Sequence, residues 1–406
     1  MTALTTRLDR IGPWRFAAAF AGAAFSVLYL VSGLASALRV DGPGLIGGGL
    51  PLGRDFAAFW SASALALAGA PEAIFDIARL HAAEIAAVDG PVPAIAWHYP
   101  PTFLLFALPL GMLPYATALV LWLLAPLVAF WLVLRRLFVS AFAASLLILF
   151  PAVALSLASG QDGVLTAALV AAALLTLDAR PIASGVVFGL LTCKPHFALL
   201  VVPALAFGCH WRTLTAMAIT AAALIGLSVI AFGLAPWLAF FGDLHLLASM
   251  ADGGAAPWVR MPTVYAAARV LGCDAQGARL LQAAATACVV VALCAIWHRK
   301  APLAWRGSAL ALALPLASPY AFEHDLVVLV LPLAWLFRDA LREKVPLSHE
   351  ALLTIAWAAP ALFWVIAMAG GPPLMPALLA ALLLMVWRRV FAPAPVPLHH
   401  PLGKAA

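Results

Sequence analysis

The sequence predicts an all-α, polytopic integral membrane protein, and three observations carry that reading. Of 406 residues, 65% are hydrophobic and only 10% charged, where a soluble domain carries about 25% charged residues. The apolar residues fall into eleven runs, at about 16–38, 102–134, 137–158, 163–177, 181–208, 213–235, 279–297, 303–317, 326–337, 351–369 and 374–387. Since about 20 apolar residues cross a bilayer, about 11 to 13 spanning helices fit this length and leave no room for a separate soluble domain. The charges are also sided. With the N-terminus taken as cytoplasmic, 16 of the 23 basic residues fall inside and 12 of the 17 acids fall outside or at the outer boundary, as the bias of cytoplasmic flanks toward Lys and Arg requires. The expectation is one multi-pass domain, 1–406, in the inner (plasma) membrane, with its N-terminus in the cytoplasm.

The elements follow in order. The run at 16–38 is too long for a signal peptide and lacks the small-residue cleavage pattern, so it reads as a retained helix. Residues 39–101 form a first outer loop with two amphipathic juxtamembrane helices, at 56–68 and 72–88. The second opens on Pro71, suited to a helix's first turn, and sets Glu72, Asp76 and Arg79 on one face. Both are expected to lie on the outer membrane surface. The 102–134 run contains Pro109 and Pro114 and reads as one broken helix or as a short helix plus a full one. The 181–208 run carries Lys194-Pro195 at its middle and reads as two half-length helices meeting there. A second outer loop, 236–278, sets Trp237, Phe240, Phe241, Leu244 and Leu247 on an interfacial stripe. No internal repeat of the transporter kind is visible. The five cysteines (Cys193, Cys209, Cys273, Cys288, Cys294) are odd in number and lack CxxC spacing, which indicates neither a disulfide framework nor a zinc site. Positive charge in short loops without stacking aromatics excludes nucleic acid as a partner.

Ionisable groups at membrane depth are expensive and are therefore functional candidates. Asp55 stands at the start of the 56–68 helix, where an aspartate serves either as an N-cap or as a general base beside a low-dielectric cleft. His98-Tyr99-Pro100-Pro101 re-enters the membrane as an interfacial anchor or a ligand site. Gly160-Gln161-Asp162-Gly163 is a polar break between apolar helices, explained by an outer turn. Lys194, in Lys194-Pro195-His196, has no carboxylate among its nearest sequence neighbours and must find an anion or snorkel, so an anionic ligand is the expected partner. Ser318-Pro319-Tyr320-Ala321-Phe322-Glu323-His324-Asp325 gathers three ionisable groups at an outer helix boundary. His324 with Asp325 or Glu323 offers ligands to a divalent ion, but HExxH and DxD patterns are absent, and no metal or other cofactor is expected. His399-His400 sits in a proline-rich tail and reads as inert, and no phosphate loop, GxSxG elbow or Rossmann fingerprint occurs.

Taken together and in order, Asp55-Phe56-x-x-Phe59-Trp60-x-Ala62, Tyr99-Pro100-Pro101, Gly160-Gln161, Lys194-Pro195, and Ser318-Pro319 followed by His324 resemble glycosyltransferase family 87 over about residues 50–330. The resemblance implies a GT-C fold and an inverting transfer of mannose, or a related hexose or pentose, from a polyprenyl-phosphate donor on the outer face to a glycolipid or glycan acceptor. The family's aspartate in the first outer loop matches Asp55, which would take the acceptor's proton. Lys194, with His196 or His324 and Arg260, would neutralise the lipid phosphate. Trp60, Tyr99 and Tyr320 would stack on sugar faces, with His98 and Gln161 beside them. Two departures leave the acceptor open: Asp162 stands where an asparagine is common, and the outer loops are short. The rival class is a secondary transporter or lipid flippase, with Lys194 and Asp162 as coupling sites. Its charges would line a midplane path, whereas the acids here gather at the outer boundary. A noncatalytic assembly subunit would leave the Asp55 loop unexplained.

Overall fold

The computed structural model describes residues 20–31, 45–46, 50–51, 53–89, 93–137, 141–253, 257–342 and 346–392. The flanks of the first predicted helix, parts of the first outer loop and the His399-His400 tail lie outside the described residues. Apart from an antiparallel pairing of Leu45–Ile46 with Leu50–Pro51, the regular elements among the described residues are helical. The protein is an all-α membrane protein. Tyr115–Leu137, Trp211–Phe232, Ala275–His298 and Leu347–Ala367, at 21 to 24 residues, are long and apolar enough to cross a bilayer. The remaining apolar runs form shorter helices, among them Gly163–Thr176, Pro195–Phe207 and Leu303–Ala317.

Proline and polar residues set the breaks. Pro101–Ala107 tightens into a 3-10 turn at Leu108–Met112 before Tyr115–Leu137 begins, which is the short-plus-full alternative for the 102–134 run. Pro181–Gly189 likewise tightens through Leu190–Cys193, stops at Lys194 and restarts as Pro195–Phe207, as the Lys194-Pro195 pair predicts. The first of these half-helices lies against Trp211–Phe232. Gly185 and Gly189 make that approach possible, since a Cβ would stand 2.3 Å from the Thr213 carbonyl oxygen and 2.5 Å from Thr220 Cβ. This is the small-xxx-small packing of membrane helices.

The core follows from which helices are apolar on all sides. From Arg306 to Ala317 every residue of Leu303–Ala317 is buried, and a helix apolar all round belongs at the centre. Ala275–His298, Val330–Arg342 and Met375–Phe391 pack around it. A second, aromatic core lies around Phe56–Leu67, where Phe59 meets Trp97, Phe103 and Trp122 with ring centroids 5.3–6.0 Å apart. That core corrects one expectation. Phe56–Leu67 does not lie on a surface: Phe56, Phe59 and Ala62 are buried beneath rings supplied by distant segments. The 72–88 helix is also divided, because Asp76 accepts from Ala78 N–H at 3.0 Å and Arg79 N–H at 3.2 Å and so caps a new helix, Ile77–Val88, after the 3-10 turn Pro71–Phe75. Ile77 and Ile85 are exposed there, as are Leu238, Phe241 and Leu244 of Ala235–Asp252, the faces expected of interfacial helices.

Candidate active site

Two glycine turns place the first acid. Gly53 and Gly160 both take positive φ, +60° and +74°, and a Cβ on Gly160 would come within 3.0 Å of the Gly53 carbonyl oxygen and 2.8 Å of Phe56 Cβ. Only residues without a side chain allow both that backbone and that approach. The Asp55 N–H then donates to the Ser159 carbonyl at 2.8 Å, and Trp122 Nε1 donates to the Gly160 carbonyl at 3.0 Å. Asp55 starts Phe56–Leu67 yet its side chain makes no cap bond. Instead Gln161 Nε2 donates to Oδ2 at 2.9 Å and Arg54 Nε to Oδ1 at 2.9 Å. Burial pushes this carboxyl up, and the Arg54 guanidinium and the Gln161 amide outweigh burial, holding it below the usual carboxylate range. The result is an ionised, oriented carboxylate on a residue that is only 8% exposed.

Gln161 extends the network inward. Tyr99 Oη donates to Gln161 Oε1 at 3.1 Å and reaches Asp162 Oδ1 at 3.4 Å, while its ring stacks on Phe103 at 4.4 Å. Gly163 lets the 3-10 helix Glu323–Leu329 approach so closely that a Cβ would lie 2.1 Å from the His324 carbonyl oxygen. That contact brings Asp162 and Asp325 together around the tip of the broken helix. Lys194 Nζ lies 2.7 Å from Asp162 Oδ1 and 2.5 Å from Asp325 Oδ1, and Asp325 Oδ2 accepts from the Phe322 N–H at 2.9 Å.

This corrects the expected partner of Lys194. Its ammonium is met by two carboxylates of the chain itself, one of them 131 positions away, so no ligand anion is required to account for its burial. Arg260 is engaged too, donating through Nε to Glu323 Oε1 at 2.7 Å. The histidines differ. His324 Nδ1 and His196 Nε2 are buried with no hydrogen-bond partner among the described residues, as are Asp162 Oδ2 and Glu323 Oε2. Asp162, His324 and Asp325 each present a ligand atom within 4.8 Å of the others, a grouping that a divalent ion accepts. The Lys194 ammonium, however, lies against both carboxylates and supplies the cation there.

The other expected residues are more scattered. His98 is exposed beside Tyr99. Trp60 donates from Nε1 to the Leu113 carbonyl at 2.9 Å and packs on Tyr115, which ties Phe56–Leu67 to the start of Tyr115–Leu137. Tyr320, 46% exposed, lines a separate groove with Asp252 and Arg279. Arg54, Asp162, Glu323 and Asp325 belong to the cluster although sequence reasoning did not choose them. The sequence carried only half of the signal, since a buried lysine needs an anion but nothing local says which acids of the chain supply it.

The model of glycosyltransferase family 87 matches residues 97–319, more than half of the chain. The matched stretch includes Tyr99, Gln161, Asp162, Lys194, His196 and Arg260, while Asp55 precedes it and His324 and Asp325 follow it. No curated protein and no solved structure matches the chain. The family match, over a chain built of apolar helices, identifies the molecule: the chain belongs to glycosyltransferase family 87 and is a membrane glycosyltransferase.

Proposed function

We propose that the protein transfers a sugar, mannose or a related hexose or pentose, from a polyprenyl-phosphate donor to a lipid or glycan acceptor on the outer face of the inner membrane, with inversion at the anomeric carbon. The observation that carries this reading is the Asp55 carboxylate, buried at a helix start, unused as a cap and fixed at both oxygens. A base so placed accepts the proton of an acceptor hydroxyl as that oxygen attacks the anomeric carbon. The C–O bond to phosphate breaks, and its electron pair leaves with the polyprenyl phosphate. Charge develops on that phosphate and needs donors. Because Lys194 and Arg260 are matched by Asp162, Asp325 and Glu323, the groups with hydrogen-bonding capacity left over are the rings of His196 and His324. This supports them as the phosphate contacts, with Lys194 fixing the frame around them. A nucleotide sugar is confined to the cytoplasm, so a lipid carrier fits an outward-facing site. No metal enters this reading.

Asp55→Asn tests it. The amide cannot take a proton, and loss of a positioned base lowers the rate by about 100- to 10,000-fold while the variant still accumulates in the membrane. Transfer at the wild-type rate by Asp55→Asn, with a polyprenyl-phosphate sugar as donor, would remove Asp55 from the chemistry.

A further inference from the structure

The spanning helix Ala275–His298 leaves one face unfilled by protein. Arg279, Ala283, Thr286, Ala287 and Val290 lie on that face and line a cavity of about 690 Å³, together with Tyr265 and Tyr320. From 279 to 290 at 1.5 Å per residue the groove runs about 16 Å, roughly half of a hydrocarbon core about 30 Å thick. It is one leaflet deep. Its walls are apolar in effect, because the polar side chains along them are already used: Gln282 accepts from the Tyr265 N–H at 2.9 Å and donates to the Leu316 carbonyl at 3.2 Å, and Thr286 donates to the Ala317 carbonyl at 2.8 Å.

The mouth is ionic instead. Arg279 pairs with Asp252, whose other carboxylate oxygen accepts from Tyr265 Oη at 2.7 Å. Arg269 Nη2 donates to the Asp252 backbone carbonyl at 2.8 Å. Only Arg279 meets the carboxylate, so Arg279, Arg269 and Asp252 together leave one positive charge in excess at the mouth, and the Arg279 side chain is 55% exposed. Val291, which lines the groove, and Leu280, on the same side of the helix, are 67% and 65% exposed and face the surrounding medium, which for a spanning helix is lipid.

We propose that this groove holds one acyl chain of an anionic phospholipid, its phosphate on Arg279, as a resident lipid distinct from the sugar donor and acceptor. The leaflet-deep apolar slot fits an acyl chain better than a much longer polyprenyl chain, and the excess cation at its mouth selects an anionic head. The inference rests on the membrane setting of the chain and not on the assignment of Asp55. Its test therefore reads binding without transfer: native mass spectrometry of the purified full-length protein titrated with phosphatidylglycerol or phosphatidylcholine. A one-lipid adduct should form preferentially with phosphatidylglycerol. Losing the charge-assisted contact in Arg279→Gln should weaken that adduct about tenfold, Arg279→Lys should keep most of it, and Ala287→Phe should abolish it by filling the slot. The exposed Arg279 position keeps the test valid even if Ala287→Phe unfolds. Equal affinity for the two lipids, an unchanged adduct in Arg279→Gln, or displacement of the lipid by an equimolar polyprenyl phosphate would each overturn the proposal, the last by making the groove part of the donor site.

Discussion

Asp55 is gripped at both carboxylate oxygens, and the grip has a pH signature. Its carboxyl is held below the usual carboxylate range, with Arg54 the leading influence downward. A depressed acid keeps its charged form above that lowered value and loses it as pH falls through it. The acid limb of kcat/KM should therefore lie below the ordinary carboxylate range, and Arg54→Gln should move it upward. An acid limb unmoved by that substitution would mean that another group sets it. Lys194 illustrates what a sequence does and does not disclose at this scale. That a lysine among apolar residues carries a role was readable from its neighbours; its carboxylate partners were not, because the fold draws them from positions far along the chain. Lys194→Met would leave Asp162 and Asp325 facing each other without a cation. Breaking such a buried pair costs about 3–5 kcal/mol, so the variant should unfold markedly earlier in detergent, and Lys194→Met with Asp325→Leu should recover part of the loss. Full stability in Lys194→Met, combined with lost donor binding, would return the lysine to the substrate.

Among elements, the half-helix Pro181–Gly189 decides where the tip at Lys194 arrives. Its face toward Trp211–Phe232 depends on Gly185 and Gly189, and overpacking such a contact costs typically about 1–3 kcal/mol. Gly189→Val should lower thermal stability by that order and reduce transfer by displacing the tip. Gly226→Ala, on the facing helix, meets nothing within 4 Å and should change neither. Equal tolerance of both substitutions would refute the close approach. The breaks at Pro109, Pro114 and Pro195 were legible because proline acts locally on the backbone. The G-x-x-x-G spacing at 185 and 189 was equally local and went unread. The burial of Phe56–Leu67 was beyond local reading: its cover comes from Trp97, Phe103 and Trp122, and a run of alanine and aromatic residues looks the same at an interface as under a roof.

In the molecule as a whole the charges segregate. Arg306 donates to both carboxylate oxygens of Asp178, at 2.6 and 2.5 Å, and lies 2.7 Å from His210 Nε2. Arg306 belongs to the basic residues that charge asymmetry assigns to the cytoplasm. Asp55, Asp162, Glu323 and Asp325, assigned to the outer boundary, meet in the other cluster. Composition was enough to read the fold class, since it is a sum over many residues, and the charge balance carries the expectation of sidedness in the same way. Which acid meets which base is a property of the packed chain. Sidedness itself can be measured in spheroplasts. With Cys209, which is exposed, kept as the sole native cysteine, a membrane-impermeant thiol reagent should label Ala86→Cys in intact cells and reach Cys209 only after permeabilisation. The reverse pattern would invert the topology and remove the argument for a lipid-borne donor.

The central helix Leu303–Ala317 has a consequence for how the chain is made. At 15 residues it is shorter than the roughly 20 needed to span a bilayer, and Arg306 near its start adds about 2.5–3.5 kcal/mol against insertion if placed at mid-membrane. Emerging from the ribosome alone, such a segment is a poor candidate for lateral release into lipid. It becomes stable once Ala275–His298 is already in the membrane and Asp178 is present to receive the guanidinium. Its place in the membrane thus depends on parts of the chain made before it, Ala275–His298 and the segment that carries Asp178, whereas Leu347–Met368, long as it is, follows it in the chain.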